Sequence, residues 1–334
     1  FKRQNMKKKN LNAKKITPNS FNFKEILKDK KIFETYKVFE RNIENFKNSK
    51  KIAISISGGP DSMALCFLIS CYISKRDKSI EPFFYLVDHG LRKNSSKEAI
   101  EVKKQLKLKY INLKILKWKG KKPNSNLQSL ARKKRYELLF KKFKKTNIKT
   151  ILTAHHQDDI YETFFSRLLR GSGTEGLSSF TAIEKKFQFE NNIISVNRPL
   201  LGFPKANLIY IAQKVFNFYV NDPSNKMEKF QRVRLRYLIS NLKNEGLDFQ
   251  KLKLTIDNLA STNRAVNDLV NYNIFENTIY IKNKYLIRSK FFDYPNEIVF
   301  RSLIILIKKI NKKHYPPRGK KMINLINNIK NKTK

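Results

Sequence analysis

The feature that most constrains this chain is a glycine-rich turn that directly follows a short apolar run. The run Ile52–Ile56 predicts a strand, and the apolar stretch that begins at Met63 predicts a helix. Between them lie Ser57, Gly58, Gly59, Pro60, Asp61 and Ser62. Two glycines let the backbone approach a ligand, and the amides of the turn and of the helix N-terminus favour phosphate. The Lys-Ser/Thr pair of the Walker P-loop is missing, so an ordinary capped turn and a different phosphate loop both stay open.

Strands and helices alternate from about residue 51 to 220, which predicts an α/β domain. A second strand ends in Asp88 and His89, and a later one ends in His155. In a parallel sheet the carboxyl ends of the strands meet at one edge, where ligands bind. We therefore predict a Rossmann-like parallel sheet with crossover helices and a single site at that edge. A simple capping role for Asp88 stays open.

An acidic pair follows the strand that ends in His155. Asp159 and Glu162 are three residues apart and share one face of the predicted helix, so they can grip a cation or an ammonium group. Acids that complement the helix dipole are the alternative. His155 and His156 do not predict a zinc site, because adjacent histidines point apart and no cysteine accompanies them. In the glycine-rich turn, Asp61 is the predicted ligand of a phosphate-bound Mg²⁺.

Arginines are grouped at three places along the chain. Arg132 and Arg135 share a face of one predicted helix, and Arg232 and Arg236 share a face of a later one. Arg170 leads into a segment that contains three glycines. Guanidinium groups bind phosphate in a bidentate manner that lysine does not match, although a solvated charged face is the plainer interpretation.

The composition favours a polyanionic partner. A net charge of +44 attracts nucleic acid above all, although a lysine-rich bias from an AT-rich genome would raise the charge without any functional reason. The two cysteines, Cys66 and Cys71, lie in an apolar stretch and support neither a disulfide framework nor a metal motif. No apolar run is long enough to span a membrane and no secretory signal is evident, so we expect a cytoplasmic protein.

The pattern also predicts how the chain is organised. Residues 1–30 are expected to form a basic, disordered tail, followed by the catalytic domain over 31–225. Residues 226–334 are expected to form a mainly helical domain, with helices at 247–275 and 293–311 around a hairpin at 278–288.

Seven motifs in order resemble those of the tRNA(Ile)-lysidine synthases, which are PP-loop, N-type ATP pyrophosphatases. They are SGGPDS at 57–62, VDHGLR at 87–92, ARKKRY at 131–136, TAHHQDDIYET at 153–163, RGSGTEG at 170–176, RPLL at 198–201 and NDPSN at 221–225. The chain stops near the end of the family's second domain, so the further C-terminal domain of longer members is expected to be absent.

The resemblance implies a two-step reaction that uses ATP and Mg²⁺. ATP adenylates the C2 oxygen of the wobble cytidine in the CAU-anticodon isoleucine tRNA, and the amine of free lysine then displaces AMP to form lysidine. The modified base pairs with A rather than G, so the tRNA reads AUA instead of AUG. The helical domain is expected to contact the tRNA, and the resemblance also admits a homodimer.

The family resemblance assigns roles to the residues already singled out. Residues 57–62 would hold the pyrophosphate with a Mg²⁺ on Asp61, and Asp159 and Glu162 would hold the lysine amine, either of them taking its proton. The predicted nucleotide contacts also include Asp88, His89 and His155. Arg132, as a catalytic residue, and Arg135 would face ATP or tRNA phosphate, Arg170 the substrate, and Arg232 or Arg236 the lysine carboxylate.

Three alternatives stay open on the sequence. A cytidine 2-thiolating relative would need cluster-binding cysteines, which Cys66 and Cys71 do not supply. An amidating ligase would need an ammonia source, and no glutaminase-like segment is visible. A non-catalytic basic RNA-binding protein would bind tRNA without releasing pyrophosphate, and the presence of Asp61, Asp159 and Glu162 argues against it.

Overall fold

The fold is described from a computed structural model. It describes residues 21–44, 49–92, 94–120, 127–190, 192–223, 227–282, 284–311 and 319–332. The central element is a six-stranded sheet built from β1 (Lys51–Ile56), β2 (Glu81–Asp88), β3 (Leu113–Lys117), β4 (Thr150–Leu152), β5 (Glu184–Phe189) and β6 (Asn192–Asn197). The strand order is β3-β2-β1-β4-β6-β5, and every neighbouring pair is parallel except β5 with β6. The predicted α/β fold with a parallel sheet is confirmed.

Helices cover both faces of this sheet. The helices between residues 23 and 244 are, in chain order, α1 (Phe23–Ile26), α2 (Lys30–Glu44), α3 (Pro60–Lys75), α4 (Ser95–Leu108), α5 (Leu127–Thr146), α6 (Gln157–Leu168), α7 (Thr174–Ser178), α8 (Lys205–Phe216) and α9 (Gln231–Asn244). Because side chains alternate along a strand, Ile52 and Ile54 of β1 join the cluster on the α3 and α8 side, whereas Ala53 joins the cluster around Phe143 of α5. Helix α3 is apolar on all sides because α2 and α8 cover it.

The sequence analysis assigned no strands to the β5–β6 hairpin. Edge strand β5 exposes most of its side chains, including Lys185 and Lys186, so it lacks the alternating apolar pattern that marks a half-buried strand. The ring of Phe187 stacks on Tyr136 of α5 at a centroid distance of 5.8 Å. Packing against a helix that is distant in sequence therefore stabilises this strand.

The predicted tail needs a correction. Residues 1–20 lie outside the described residues, but residues 21–30 begin the packed core instead of forming a disordered segment. Phe21, Phe23 and Leu27 are buried, and the ring of Phe21 meets Phe67 of α3 edge to face at 5.6 Å. Two aromatic residues among many lysines were enough to anchor the segment, because burying aromatic surface is strongly favourable.

A second group of elements forms a helical unit with its own core. It contains α10 (Phe249–Asn277), the hairpin β7 (Thr278–Ile281) and β8 (Lys284–Ile287), α11 (Asn296–Asn311) and α12 (Gly319–Lys332). Its apolar core is formed by Phe291, Val299, Leu303, Leu306, Met322 and Ile326. The predicted helical region with a short hairpin is confirmed.

The chain divides into two compact units by contact. The first unit contains the six-stranded sheet and comprises Phe1–Glu162 and Ala182–Tyr237. The second unit comprises Thr163–Thr181 and Leu238–Lys334. The glycine-rich segment around α7 belongs to the second unit, because Thr174 accepts a hydrogen bond of 3.0 Å from Arg301 of α11. The domain limits 31–225 and 226–334 stay predictions. No helix within the described ranges combines the length and apolar character that crossing a membrane requires.

A partly buried ion pair ties α2 to the end of α3 and offers a test of this packing. Glu40 accepts hydrogen bonds from Arg76 Nε at 2.7 Å and from the Tyr36 hydroxyl at 3.0 Å. The bond from Arg76 holds the pKa of Glu40 below its ordinary value of 4.5, despite burial. The ionised carboxylate therefore stabilises the fold above pH 4.5, and this stabilisation is lost as the pH falls through the lowered pKa.

We expect Glu40→Gln to lower the free energy of unfolding at pH 7 by about 1 kcal/mol, because the exposed side of Arg76 limits the gain from the charge. The difference from wild type should shrink as the pH falls below the pKa of Glu40. Urea denaturation at several pH values measures both effects. Glu34→Gln, at an exposed position of the same helix, is the matched control, and an equal loss in both variants would contradict the prediction.

Candidate active site

The glycine-rich turn after β1 is held by hydrogen bonds that its own two serines make. Ser62, in the first turn of α3, accepts hydrogen bonds at 3.1 Å from both the backbone N–H and the hydroxyl of Ser57. Its own hydroxyl donates to the carbonyl of Gly59 at 2.9 Å. Pro60 occupies the first helical position, where its missing N–H costs nothing. The N–H groups of Ser57 and Gly59 both donate to serine hydroxyls, so side chains of the turn hold its shape at the N-terminus of α3.

Gly58 is the residue of the turn that no other amino acid can replace without strain. Its φ of +85° lies in the left-handed region, and a Cβ there would lie 2.6 Å from Cγ2 of Val102 in α4. Its carbonyl accepts a hydrogen bond of 2.8 Å from the N–H of Val220. Arg92 lies 3.3 Å from Asp222 and so links two of the quoted motifs beside this turn. Ser224 and Asn225 of the NDPSN motif lie outside the described residues.

Asp61 begins the acidic half of the site. Its Oδ1 is buried and accepts no hydrogen bond from the described residues, and its Oδ2 lies 3.6 Å from Nε2 of His156. A buried carboxylate oxygen without a donor suits a hard cation such as Mg²⁺, which takes one or two carboxylates and completes its shell with water and phosphate. Within the described residues no cluster of three or more acidic, histidine or cysteine side chains could hold a metal ion alone. The site therefore fits a cation shared with a phosphate.

His156 is the residue that the sequence analysis missed. It is 4% exposed and its Nε2 lies 3.6 Å from Asp61 and 3.8 Å from Asp159, while its Nδ1 lies 3.8 Å from Asp158. Burial lowers its pKa, but the three carboxylates more than offset this, and the pKa lies above its ordinary value. The sequence did contain a signal for this role. Adjacent side chains point in different directions, so His155 and His156 could be expected to contact different groups.

His155 faces the basic half of the site. Its Nδ1 lies 2.8 Å from the hydroxyl of Thr153, which follows β4. Burial lowers its pKa to about 3, and the guanidinium groups of Arg132, Arg198 and Arg232 act in the same direction against Asp159. His155 is therefore a neutral imidazole near both Asp159 and the arginines.

Arg198 was quoted in a motif but not singled out, and the structure places it beside His155. The backbone N–H of Thr153 bonds to the carbonyl of Asn197 at 2.9 Å, so the ends of β4 and β6 emerge side by side. Arg198 is 3% exposed and donates to the carbonyl of Ala182 at 3.2 Å. The sequence pattern does not predict this burial, because an arginine that follows a strand can equally be exposed to solvent.

Asp159 and Glu162, the predicted acidic pair, both lie in α6, and the two side chains have different partners. Asp159 accepts a hydrogen bond of 3.0 Å from the backbone N–H of His156. Burial raises the pKa of Asp159, but the neighbouring His156 holds it below its ordinary value, so the side chain is ionised. Glu162 is 3% exposed and accepts a hydrogen bond of 2.5 Å from Arg236 Nε, while Arg232 Nε lies 4.0 Å from its other oxygen.

The interaction with Glu162 also affects Arg236. Burial lowers the pKa of this guanidinium, but the hydrogen bond and charge of Glu162 raise it above its ordinary value. The two residues were predicted to bind opposite ends of one ligand, and in the structure they bind each other.

Asp88 and His89 lie at the predicted sheet edge, with local partners. Asp88 accepts hydrogen bonds from Ser96 Oγ at 2.5 Å, Ser95 Oγ at 3.0 Å and the N–H of Gly90 at 2.9 Å. These donors hold its pKa below the ordinary value although burial raises it. The N-cap of α4 is Asn94, so these contacts differ from the helix-capping role that the sequence left open for Asp88. The ring of His89 meets Trp118 edge to face at 6.1 Å. Nucleotide contacts by both residues stay predictions.

The remaining arginines fall in two places. The guanidinium of Arg132 lies 5.6 Å from the ring of Tyr136, and Arg135 shares its surroundings with Arg132 and Arg232. These side chains and Arg198 belong to one basic cluster beside His155. Arg170 belongs to the second compact unit, and its predicted substrate contact stays a prediction.

The sequence of this chain matches a known protein family and named relatives. A family model described as the PP-loop domain matches residues 31–242. Proteins named tRNA(Ile)-lysidine synthase from Wolbachia sp. subsp. Brugia malayi and from Wolbachia pipientis wMel are 34% and 36% identical to this chain, over 84% and 86% of it. The chain spans 64% and 66% of the lengths of these two relatives.

A solved structure supports the fold independently. The U34-tRNA thiolase NcsA from Methanococcus maripaludis, described with its 4Fe-4S cluster, superposes with a TM-score of 0.56 at 18% sequence identity. The superposition covers 70% of this chain and 80% of the thiolase. At this level of identity the likeness concerns the fold alone.

The turn provides a matched pair of substitutions. We expect Gly58→Ala to lower the free energy of unfolding by about 1–3 kcal/mol, because its Cβ would clash with Val102 in a strained backbone conformation. Gly59→Ala should have little effect on stability, since its Cβ would meet only Ser57 Oγ, at an ordinary 3.6 Å. Thermal and urea denaturation compare the two variants. Equal stabilities would show that the close approach at Gly58 is not needed.

Proposed function

Since the chain belongs to the PP-loop family, we propose that it is an ATP-dependent ligase that joins lysine to the wobble cytidine of a CAU-anticodon isoleucine tRNA. The names of the curated relatives support the tRNA substrate and the product lysidine. ATP would be the activating nucleotide, Mg²⁺ its counterion, and free lysine the second substrate.

One observation carries this proposal. Asp61 of the glycine-rich turn and Asp159 of the acidic pair lie within 3.6 and 3.8 Å of the same imidazole nitrogen of His156. A phosphate loop and an amine-binding acid are therefore parts of one site. An enzyme that first adenylates a base and then couples an amine to it needs both groups around one reacting carbon.

The first step is adenylation of the base. The C2 oxygen of cytidine would attack the α-phosphorus of ATP, and pyrophosphate would leave into the turn formed by residues 57–62. The amides at the start of α3 and the helix dipole would stabilise the charge that develops on this leaving group. Mg²⁺ held by Asp61 would neutralise part of the same charge. Adenylation is needed because the unmodified oxygen is a poor leaving group.

The second step is attack by lysine. Its amine would add to C2, and AMP would leave with the former carbonyl oxygen. A lysine ammonium is not a nucleophile, so Asp159 or Glu162 would accept its proton. We propose that lysine replaces the internal pair of Glu162 with Arg236: the ammonium would take the place of Arg236 at Glu162, and Arg236 or Arg232 would bind the lysine carboxylate.

The basic cluster beside His155 would bind phosphate. Arg132, Arg198 and Arg232 lie near the neutral imidazole of His155, and Arg135 lies near Arg132 and Arg232. Several guanidinium groups in one place favour binding of a phosphate anion. The α-phosphate of ATP and the backbone of the anticodon are both candidates for this cluster. The net charge of +44 and the helical unit would serve tRNA binding by contacts that position the RNA and do not specify its sequence.

A sulfur-inserting activity is the main competitor, and the cysteines disfavour it. Cys66 and Cys71 are both fully buried in α3, and burial raises the pKa of each thiol, that of Cys71 to about 12. Such thiols are poor metal ligands and poor nucleophiles.

We expect the purified protein to release pyrophosphate over many turnovers only with ATP, lysine and the CAU-anticodon isoleucine tRNA together, and to incorporate labelled lysine into that tRNA. Asp61→Ala should abolish both signals while filter binding of tRNA survives, because tRNA binding depends on distributed charge. Incorporation of sulfur, or tRNA binding without pyrophosphate release by the wild type, would refute the proposed function.

Glu162 provides a test of the lysine site. We expect Glu162→Gln to raise the KM for lysine by about 10- to 100-fold, because a neutral amide loses the charge-assisted bond to the ammonium group. The KM for ATP should change little. Glu190→Gln, at the exposed turn between β5 and β6, is the control. Equal effects on the KM for ATP and for lysine would contradict the assignment.

A further inference from the structure

His156 connects the two halves of the site through one ring. It precedes α6, is 4% exposed, and its Nε2 faces Asp61 of α3 at 3.6 Å and Asp159 of α6 at 3.8 Å. Its backbone N–H also bonds to Asp159 at 3.0 Å. Asp61 and Asp159 belong to helices that follow different strands, so the ring of His156 is the contact that joins them.

We propose that His156 is a positioning residue that sets the distance between Asp61, which serves base activation, and Asp159, which serves lysine attack. This inference rests on the proposed function and adds to it a residue that acts through two others. Without a donor between them, the two carboxylates would repel each other in a site with little water. The imidazole keeps both within reach of the same reacting carbon, and Asp61 Oδ1 stays available for a cation.

The two ring nitrogens allow a sharp experiment. Nε2 faces Asp61 and Asp159, whereas Nδ1 faces Asp158, which is 48% exposed in its side chain. A glutamine side chain places its amide nitrogen near the position of Nε2, and an asparagine side chain places its own near Nδ1. His156→Gln therefore keeps the connection between the two acids, His156→Asn keeps only the outer contact, and His156→Leu removes both at similar volume.

The kinetic prediction separates these variants. We expect His156→Leu and His156→Asn to lower kcat for pyrophosphate release by about 100-fold, since small displacements of positioned groups cost about that much. Both should also raise the KM for lysine. His156→Gln should stay within about tenfold of wild type in both parameters. Equal losses in the Gln and Asn variants, or an unchanged KM for lysine in the Leu variant, would show a merely structural role and overturn the proposal.

A binding measurement provides a readout apart from activity. Calorimetric titration with ATP and Mg²⁺ should give a Kd that is about tenfold higher for His156→Leu and His156→Asn than for wild type, and close to wild type for His156→Gln. Thermal denaturation identifies variants that do not fold. The Kd values of His156→Gln and His156→Asn can be compared directly, because both substitutions introduce an amide of similar polarity. The same Kd for all four proteins would overturn the proposal.

The two proposals fail in different ways. If the wild type incorporates no lysine, the proposed function is wrong whatever the variants do. If the wild type is active and His156→Leu matches it in kcat, in the KM for lysine and in ATP affinity, the proposed function stands and the role of His156 is wrong.

Discussion

The parallel pairing of β1 with β4 is the constraint on which the site depends. In their register Ile54 lies beside Leu152, where β4 ends, and β1 continues to Ile56. The segments that follow the two strands therefore leave from the same edge of the sheet. The turn that follows β1 carries Asp61, and the segment that follows β4 carries His156 and Asp159. Backbone hydrogen bonds between the strands therefore position groups that are about a hundred residues apart in the chain. A shift in this register would separate the two halves of the chemistry.

The electrostatics of the site follow from two adjacent histidines that face opposite ways. His156 lies among Asp61, Asp158 and Asp159, and its pKa is raised. His155 lies toward the arginine cluster, and its pKa is lowered to about 3. Two adjacent residues of the chain thus have opposite electrostatic surroundings, His156 among carboxylates and His155 near arginines.

Much of this was predictable because the patterns involved are local. Apolar runs and glycine turns identified the strands and the α/β class, and the spacing of Asp159 and Glu162 placed both on one helical face. The missed features depend on contacts between distant segments. The charged edge strand β5 is held by Phe187 against Tyr136, and the segment after residue 20 is anchored by Phe21 against Phe67. No local pattern reveals a partner that lies about fifty residues away in the chain.

By itself the sequence determined the glycine-rich turn, the helical face shared by Asp159 and Glu162 and the alternation of strands with helices, because glycine conformations and side-chain periodicity are properties of neighbouring residues. Only the tertiary structure decided which histidine meets the carboxylates, that Glu162 is bound by Arg236, and that Asp88 is occupied by Ser95 and Ser96. These are properties of the space between elements, which depends on strand register and helix packing.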